Sequence, residues 1–417
     1  MKKHIHKLAK NPLIMGSFFV LSGGVVANLF NFLFNLFMSR NLAIADYGTL
    51  ISIISIITLL SIPAGALTPT VVTVGGRYFA EKNFIILHTF YIRLSKILLL
   101  FGILLILGFL LLSGVLSEFF KISDARLFAF SSIAIVFSYF ITLNNSFLQA
   151  KLSFKSLSFV NTSASFSKFI LSFGLVLLGW GLGGASLGLF LSFAVAVVIG
   201  SYLLKEVIFF KSTSSTEFSY RELISYGVPS AAMMFALSAF VSTDILFVKH
   251  FFTEQQAGLY AGLSLIGRVI FFISAPISTV MFPVIVSKFN KKEAYKHILL
   301  SALGLVSSIA LGLILFYWLF PQFTVLFFLK KLEYLAIVQY LVPFGFFIMV
   351  YSLLYVFAYY FLSIKNTKMC WIFVGGALLQ FLLLSQFHSN FHQVIYISLG
   401  VVGFLFIYST FYFKLKK

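Results

Sequence analysis

Three ionisable side chains, Lys168, Asp244 and Arg268, lie inside long apolar runs of this sequence. Near the centre of a bilayer such a group costs about 2.5–3.5 kcal/mol on insertion scales, so each requires a reason to be there. A cation at that depth can hold an anion such as a phosphate. A carboxylate can pair with a cation or carry a proton. Lys168 lies about eleven residues from the glycine turn GWGLGG (179–184), and Arg268 about eleven from Ala257, which places both cations at one depth near the middle. Asp244, a few residues before Lys249, is shallower, about 8–10 Å from the level of Arg268 at 1.5 Å per residue. A direct Asp244–Arg268 pair is therefore not implied. Asn28, Asn31 and Asn35 recur at i, i+3, i+7, which puts three amides on one helix face. That face suits another helix or a hydrated cavity better than lipid. Arg268, Lys168, Asn28, Asn31 and Asn35 are thus candidate substrate contacts, and Asp244 is a candidate coupling or ion-pair residue.

Each has a structural reading as well. The three amides can act as interhelical contacts worth about 0.6 kcal/mol apiece. Lys168 can snorkel towards headgroups, Arg268 can sit in a structural ion pair, and Asp244 can cap a loop or pair with Lys249. His388 and His392 have the i, i+4 spacing of metal ligands, but no third ligand accompanies them. Cys370 is the one cysteine, which excludes an intramolecular disulfide and a multi-cysteine metal site. No metal or cofactor is expected. P-loop, HExxH, GxSxG and DxD patterns are absent, and every loop is short, so no enzyme is expected either.

The elements that carry these residues follow from composition. Of 417 residues, 60% are apolar and 10% charged, with mean hydropathy +1.05. A soluble domain is about 25% charged. A soluble globular protein, a disordered chain and a disulfide scaffold are excluded. The net charge of +19 resides in short segments between apolar runs, which argues against nucleic-acid binding. Spanning-length runs fall at 13–38, 48–74, 94–116, 125–148, 156–178, 183–204, 224–248, 257–287, 297–320, 335–362, 369–386 and 391–413. The first is too long for a signal-peptide core and reads as a retained helix. Twelve spans put both termini on one side. Of the 30 Lys and Arg, 22 lie on the side of the termini and 6 on the other, whereas the acids divide evenly, so both ends are expected in the cytoplasm.

An internal repeat organises the spans. SRNLAIADYGTL (39–50) and KHFFTEQQAGLY (249–260) each run from a basic residue through a spacer to a glycine, Gly48 and Gly258, at an offset of 210. Pro63 and Pro69 follow one, Pro276 and Pro283 the other. LQAKLSFK (148–155) matches LSIKNTKM (362–369) at an offset of 214. The chain therefore divides into two six-helix halves, 1–204 and 223–417, joined by a cytoplasmic linker at 205–222 (KEVIFFKSTSSTEFSYRE). Six being even, the halves are parallel repeats, the plan of an alternating-access transporter with its site at the midplane.

The segments SRNLAIADYGTL, DILFVKHFFTEQQAGLYAG (244–262) and LQAKLSFK, the last followed by a helix with a central cation (Lys168) and a glycine turn, resemble the signatures of one family. Over nearly its whole length the chain resembles the O-antigen and capsular-polysaccharide repeat-unit flippases of the MATE-like exporter superfamily. The resemblance implies an all-α membrane fold of twelve transmembrane helices in two six-helix bundles around a central cavity. It implies an undecaprenyl-diphosphate-linked oligosaccharide as cargo, with cavity cations to which Lys168 and Arg268 correspond. Membrane lipids and glycan polymerase or ligase machinery are the expected partners of a monomer, with no nucleic acid. The two additional carboxy-terminal helices of some lipid-flippase relatives are lacking, which weakens a peptidoglycan-precursor reading. A cation-coupled drug exporter of the same superfamily is the alternative. A membrane glycan polymerase or ligase ranks below it, because the largest outer loop is only about 14 residues.

Overall fold

In hydrocarbon the backbone must satisfy its own polar groups, which leaves long apolar segments little choice but helix. The computed structural model describes residues 12–65, 67–68, 71–121, 125–210, 228–290 and 292–415, and among them there is no strand. The principal helices are α1 (Pro12–Asn41), α2 (Ile44–Gly65), α3 (Phe84–Leu111), α4 (Ala125–Ala150), α5 (Phe154–Leu175), α6 (Gly181–Leu203), α7 (Val228–Phe240), α8 (Thr243–Phe251), α9 (Glu254–Gly267), α10 (Val269–Asn290), α11 (Lys296–Leu319), α12 (Pro321–Leu329), α13 (Leu341–Ser363), α14 (Thr367–Gln386) and α15 (Phe391–Leu415). The amino-terminal basic segment, Pro69 and most of the linker (211–222) lie outside the described residues.

Among the described residues ten helices are long and apolar enough to cross a membrane, and the bent pair α7/α8 makes an eleventh. One of the ten, Phe154–Leu203, is 50 residues long. Its backbone turns at Gly179 (φ 87°) and Gly181 (φ 50°), left-handed conformations that glycine adopts without strain. α5 and α6 then pack side by side. The added Cβ of a residue larger than Gly188 would lie 2.4 Å from the Ser172 backbone, so this pairing depends on a small residue. Taken separately, the two arms bring the apolar segments to twelve. The chain is a multi-pass membrane protein.

One expected span is discontinuous: the seventh breaks at Val241–Ser242, where α7 and α8 meet at 44°. The eighth is divided at Arg268 into α9 and α10, but hydrogen bonds carry through the junction, Arg268 N to Ser264 O at 3.0 Å and Phe272 N to Arg268 O at 2.9 Å.

The chain forms two compact units. The first comprises Met1–Phe34, Leu60–Glu118 and Ile122–Ala231; the second comprises Asn35–Leu59, Phe119–Lys121 and Ala232–Lys417. In the first, α4 packs on α3 and α6. Buried Asn144 ties the three together: Tyr91 donates to its Oδ1 at 2.8 Å, and its Nδ2 donates to Ser201 Oγ at 3.2 Å. In the second, α13 packs against α10, α11 and α15.

The second unit also holds Asn35–Leu59, which the repeat assigns to the amino-terminal half. Backbone proximity explains this. Gly48 and Gly258 meet each other, and a Cβ on Gly258 would stand 1.8 Å from the Ile44 carbonyl oxygen. Arg40 donates to the Phe327 and Phe328 carbonyls at 2.5 and 2.8 Å, and Lys331 donates to the Leu42 carbonyl, so helix ends in this region cap one another.

The repeat is visible in the turns. Six non-glycine residues among those described have left-handed backbones: Lys82, Lys121, Leu152, Lys292, Lys330 and Lys365. They fall into pairs, 82 with 292, 121 with 330 and 152 with 365, at offsets of 210, 209 and 213. Ser153 N bonds Leu148 O and Asn366 N bonds Phe361 O, both at 2.9 Å, which is the same six-to-one helix closure in each copy.

Candidate functional site

In the first unit the chemistry centres on α5. Its sequence FKSLSFVNTSASFSK places small polar residues every three or four positions, which gives an apolar helix one polar stripe. The stripe meets α1. Gly23 lets the two backbones approach, since its Cβ would lie 2.6 Å from Ser158 Cβ, and Thr162 donates to the Gly23 carbonyl at 3.2 Å. Two turns along α1, Asn31 Nδ2 donates to Ser165 Oγ at 3.2 Å, and Asn31 Oδ1 accepts from the Lys168 ammonium. The Lys168 nitrogen stands 4.7 Å from the centre of the buried Phe34 ring. An amide oxygen and an aromatic face both favour a cation. Lys168 therefore turns against α1 and does not extend along α5. Its side chain is half-buried, and one amide oxygen occupies only one of three ammonium donors.

Of the three asparagines of α1, Asn31 joins Lys168, Asn28 is exposed, and Asn35, in the second unit, is half-buried. The α5 stripe, with Asn161 taking an amide bond from Asn145 at 2.8 Å, was the signal that sequence reasoning passed over. Each of its residues is small and neutral, and only their common face marks them.

In the second unit the break in the seventh span organises the site. A helix that stops inside a membrane leaves carbonyls without partners. Here three elements supply them. Tyr351 donates to the Leu237 carbonyl at 3.1 Å, Gln380 Nε2 to Phe240 at 3.1 Å, and the Arg268 guanidinium to Val241. Gln380 is itself braced by Ser398 at 2.9 Å. Across the break, Asp244 sits in the first turn of α8, where the helix dipole favours negative charge. It is fully buried; its Oδ2 accepts from Tyr260 at 2.9 Å, and its Oδ1 has no partner among the described residues.

Arg268 is near enough for its charge to act on Asp244, yet no direct ion pair joins them among the described residues. Arg268 Nε has no acceptor among those residues, so the fork is only partly engaged. Lys249 does not meet Asp244. It is fully buried and donates to Thr49 Oγ1 at 2.8 Å. His388 is bonded to the Leu384 carbonyl at 2.9 Å and stacks on Phe251, while His392 stacks on Tyr396. No cluster of three His, Cys, Asp or Glu suited to a metal occurs among the described residues.

Lys168 and Arg268, one in each unit, are each held by a neutral oxygen and only partly engaged. Residues 37–339, which include both, match a family described as polysaccharide biosynthesis protein. The chain belongs to that family. No curated protein matches the sequence. Solved structures do match. An inward-facing multidrug resistance MATE-family transporter of the MOP superfamily aligns with TM-score 0.71 and 13% identity, covering 96% of this chain and 98% of that one. The lipid II flippase MurJ, in an inward closed conformation, aligns with TM-score 0.71 and 16% identity, over 96% of this chain and 87% of that one. An outward-facing multidrug resistance MATE-family transporter of the MOP superfamily gives TM-score 0.65 and 15% identity, over 98% of this chain and 96% of that one. At such identities the likeness is one of fold: this family member has a MATE-like, MurJ-like all-helical architecture.

Proposed function

We propose that the protein is a flippase that moves an undecaprenyl-diphosphate-linked oligosaccharide, an O-antigen or capsule repeat unit, from the cytoplasmic to the outer leaflet by alternating access. The supporting observation is the pair of cations, Lys168 on α5 and Arg268 between α9 and α10, both set at mid-span with donors to spare, in a member of a polysaccharide biosynthesis family. The physical problem such a cargo poses is desolvation. Each unsatisfied sugar hydroxyl in hydrocarbon costs several kcal/mol, and a diphosphate costs more. A hydrated path with cationic side chains removes that barrier while the polyprenyl tail stays in lipid. Asn31 holds Lys168 in place, and Asn28 and Asn35 extend the polar surface of α1. The basic bias of the loops supports a bacterial plasma-membrane location with both termini cytoplasmic. In this reading the halves 1–204 and 223–417 are the moving bodies, 205–222 is their link, and glycan polymerase or ligase machinery receives the product of a monomeric carrier.

Arg268→Ala and Lys168→Ala are each expected to abolish surface polysaccharide while the protein remains at wild-type level in the membrane. Full polysaccharide display by both variants would count against the proposal.

A cation-coupled drug exporter is the second reading. It draws on Asp244, a buried carboxylate with one oxygen unpartnered among the described residues, at a helix break. It requires that cells expressing the protein expel cationic dyes and that Asp244→Asn removes the efflux. On the flippase reading dye efflux is absent, and Asp244→Asn weakens polysaccharide display through loss of coupling.

A further inference from the structure

α13 carries tyrosines at 351, 355 and 359, four residues apart, so they share one face of the helix, with a backbone rise of about 6 Å from one to the next. The upper ring is structural: Tyr351 is 3% exposed and bonds the Leu237 carbonyl. The other two are half-buried. Two phenylalanines of α10 back them. Phe271 lies 5.2 Å from Tyr351 and 5.0 Å from Tyr355, and Phe282 lies 5.9 Å from Tyr359. Tyr355 and Tyr359 stand 4.7 Å apart, and the Tyr355 hydroxyl donates to that of Tyr359 at 2.9 Å. The Tyr359 hydroxyl in turn finds no acceptor for its own proton among the described residues.

The opposite face of α13 shows what ordinary packing looks like here. Phe357 and Phe361, each 1% exposed, are sealed against Phe406, Phe413 and Tyr412 of α15. Tyr355 and Tyr359 are half-buried, less enclosed than Phe357 and Phe361. A pair of phenol hydroxyls with an unspent proton is ill-suited to lipid and well suited to a wet polar ligand. Arg268, at the junction of α9 and α10, lies one turn before Phe271 and is close enough to Tyr351 for its charge to act there.

We infer that Tyr355 and Tyr359, backed by Phe271 and Phe282, form a saccharide subsite that continues from Arg268 towards the Ser363 end of α13. The ligand is the sugar portion of a lipid-linked oligosaccharide. The C–H face of a pyranose packs on each phenol ring, and its hydroxyls exchange hydrogen bonds with the phenols. This inference rests on the flippase reading and specifies where the glycan, as distinct from the diphosphate, is held.

The test compares two probes in proteoliposomes: undecaprenyl diphosphate bearing a short oligosaccharide, and bare undecaprenyl diphosphate. Tyr355→Leu and Tyr359→Leu are expected to slow transfer of the glycosylated probe roughly three- to tenfold each while leaving the bare probe unchanged. Tyr359→Phe and Tyr359→Trp, which keep a ring, should retain most of the transfer. Saturation transfer from wild-type protein to the free oligosaccharide, lost in the leucine variants, provides a second readout that does not depend on turnover. Equal slowing of both probes, or wild-type handling of the glycosylated probe by both leucine variants, overturns the subsite. Failure of the wild-type protein to move either probe overturns the flippase reading itself, and saturation transfer then decides the subsite alone.

Discussion

Arg268 has one role in the structure and a second on the proposed reading, and the two are separable by experiment. Its bond to the Val241 carbonyl closes the end of α7, and its Nε is not used in that bond. Glutamine can retain the first role, since a neutral amide donates to a carbonyl as Gln380 already does at Phe240. It lacks the charge for the second. Arg268→Gln is therefore expected to fold with a melting temperature in detergent close to wild type and to lose transport at least tenfold, because a charge-assisted bond is worth about 1.5–3 kcal/mol. Retention of full transport by this variant would assign Arg268 to the helix break alone. At this scale much was legible. Lys168, Asp244 and Arg268 stand out in any reading of the sequence, because charge in an apolar run is rare. Their partners were not legible. Asn31 lies 137 residues from Lys168, and Val241 lies 27 from Arg268 across a break that nothing in the local sequence marks. The reading of Asp244 against Lys249 failed for the same reason: both are buried, but each turns to a different helix.

The helices show which sequence signals are strong and which are silent. Glycine turns are strong: GWGLGG marks the hairpin between α5 and α6, where Gly179 and Gly181 take positive φ. Gly48 and Gly258 were readable as equivalent positions of a repeat, yet their mutual contact was not, because periodicity reports likeness and not proximity. Breaks are silent. The residues Val241–Ser242 contain neither glycine nor proline, and the break survives because Tyr351, Gln380 and Arg268 satisfy the exposed carbonyls. The close approach of α2 and α9 makes the sharpest prediction at this scale. A methyl group at Gly258 would stand 1.8 Å from the Ile44 carbonyl oxygen, and backbone cannot move aside as a flexible side chain can. Gly258→Ala is expected to reduce the folded protein recovered by size-exclusion chromatography severalfold. Gly304→Ala, at a helical glycine with open space around it, should leave recovery unchanged.

Across the whole molecule, the alternation of apolar runs with short basic loops specified an all-helical membrane protein, and the paired left-handed turns at 82/292, 121/330 and 152/365 carry the repeat into backbone geometry. The boundary between compact units was less legible. Asn35–Leu59 belongs to the second unit through contacts of Gly48, Arg40 and Leu42 that no linear pattern encodes. On the proposed reading, two mid-span cations carry a diphosphate-linked glycan across the bilayer. It is tested most directly by following a fluorescent undecaprenyl-diphosphate oligosaccharide from one leaflet to the other in proteoliposomes containing the purified protein. The account predicts rapid transfer with the wild-type protein and background transfer with Lys168→Met and with Arg268→Gln. Transfer by both variants at the wild-type rate, or none by the wild-type protein, would contradict it.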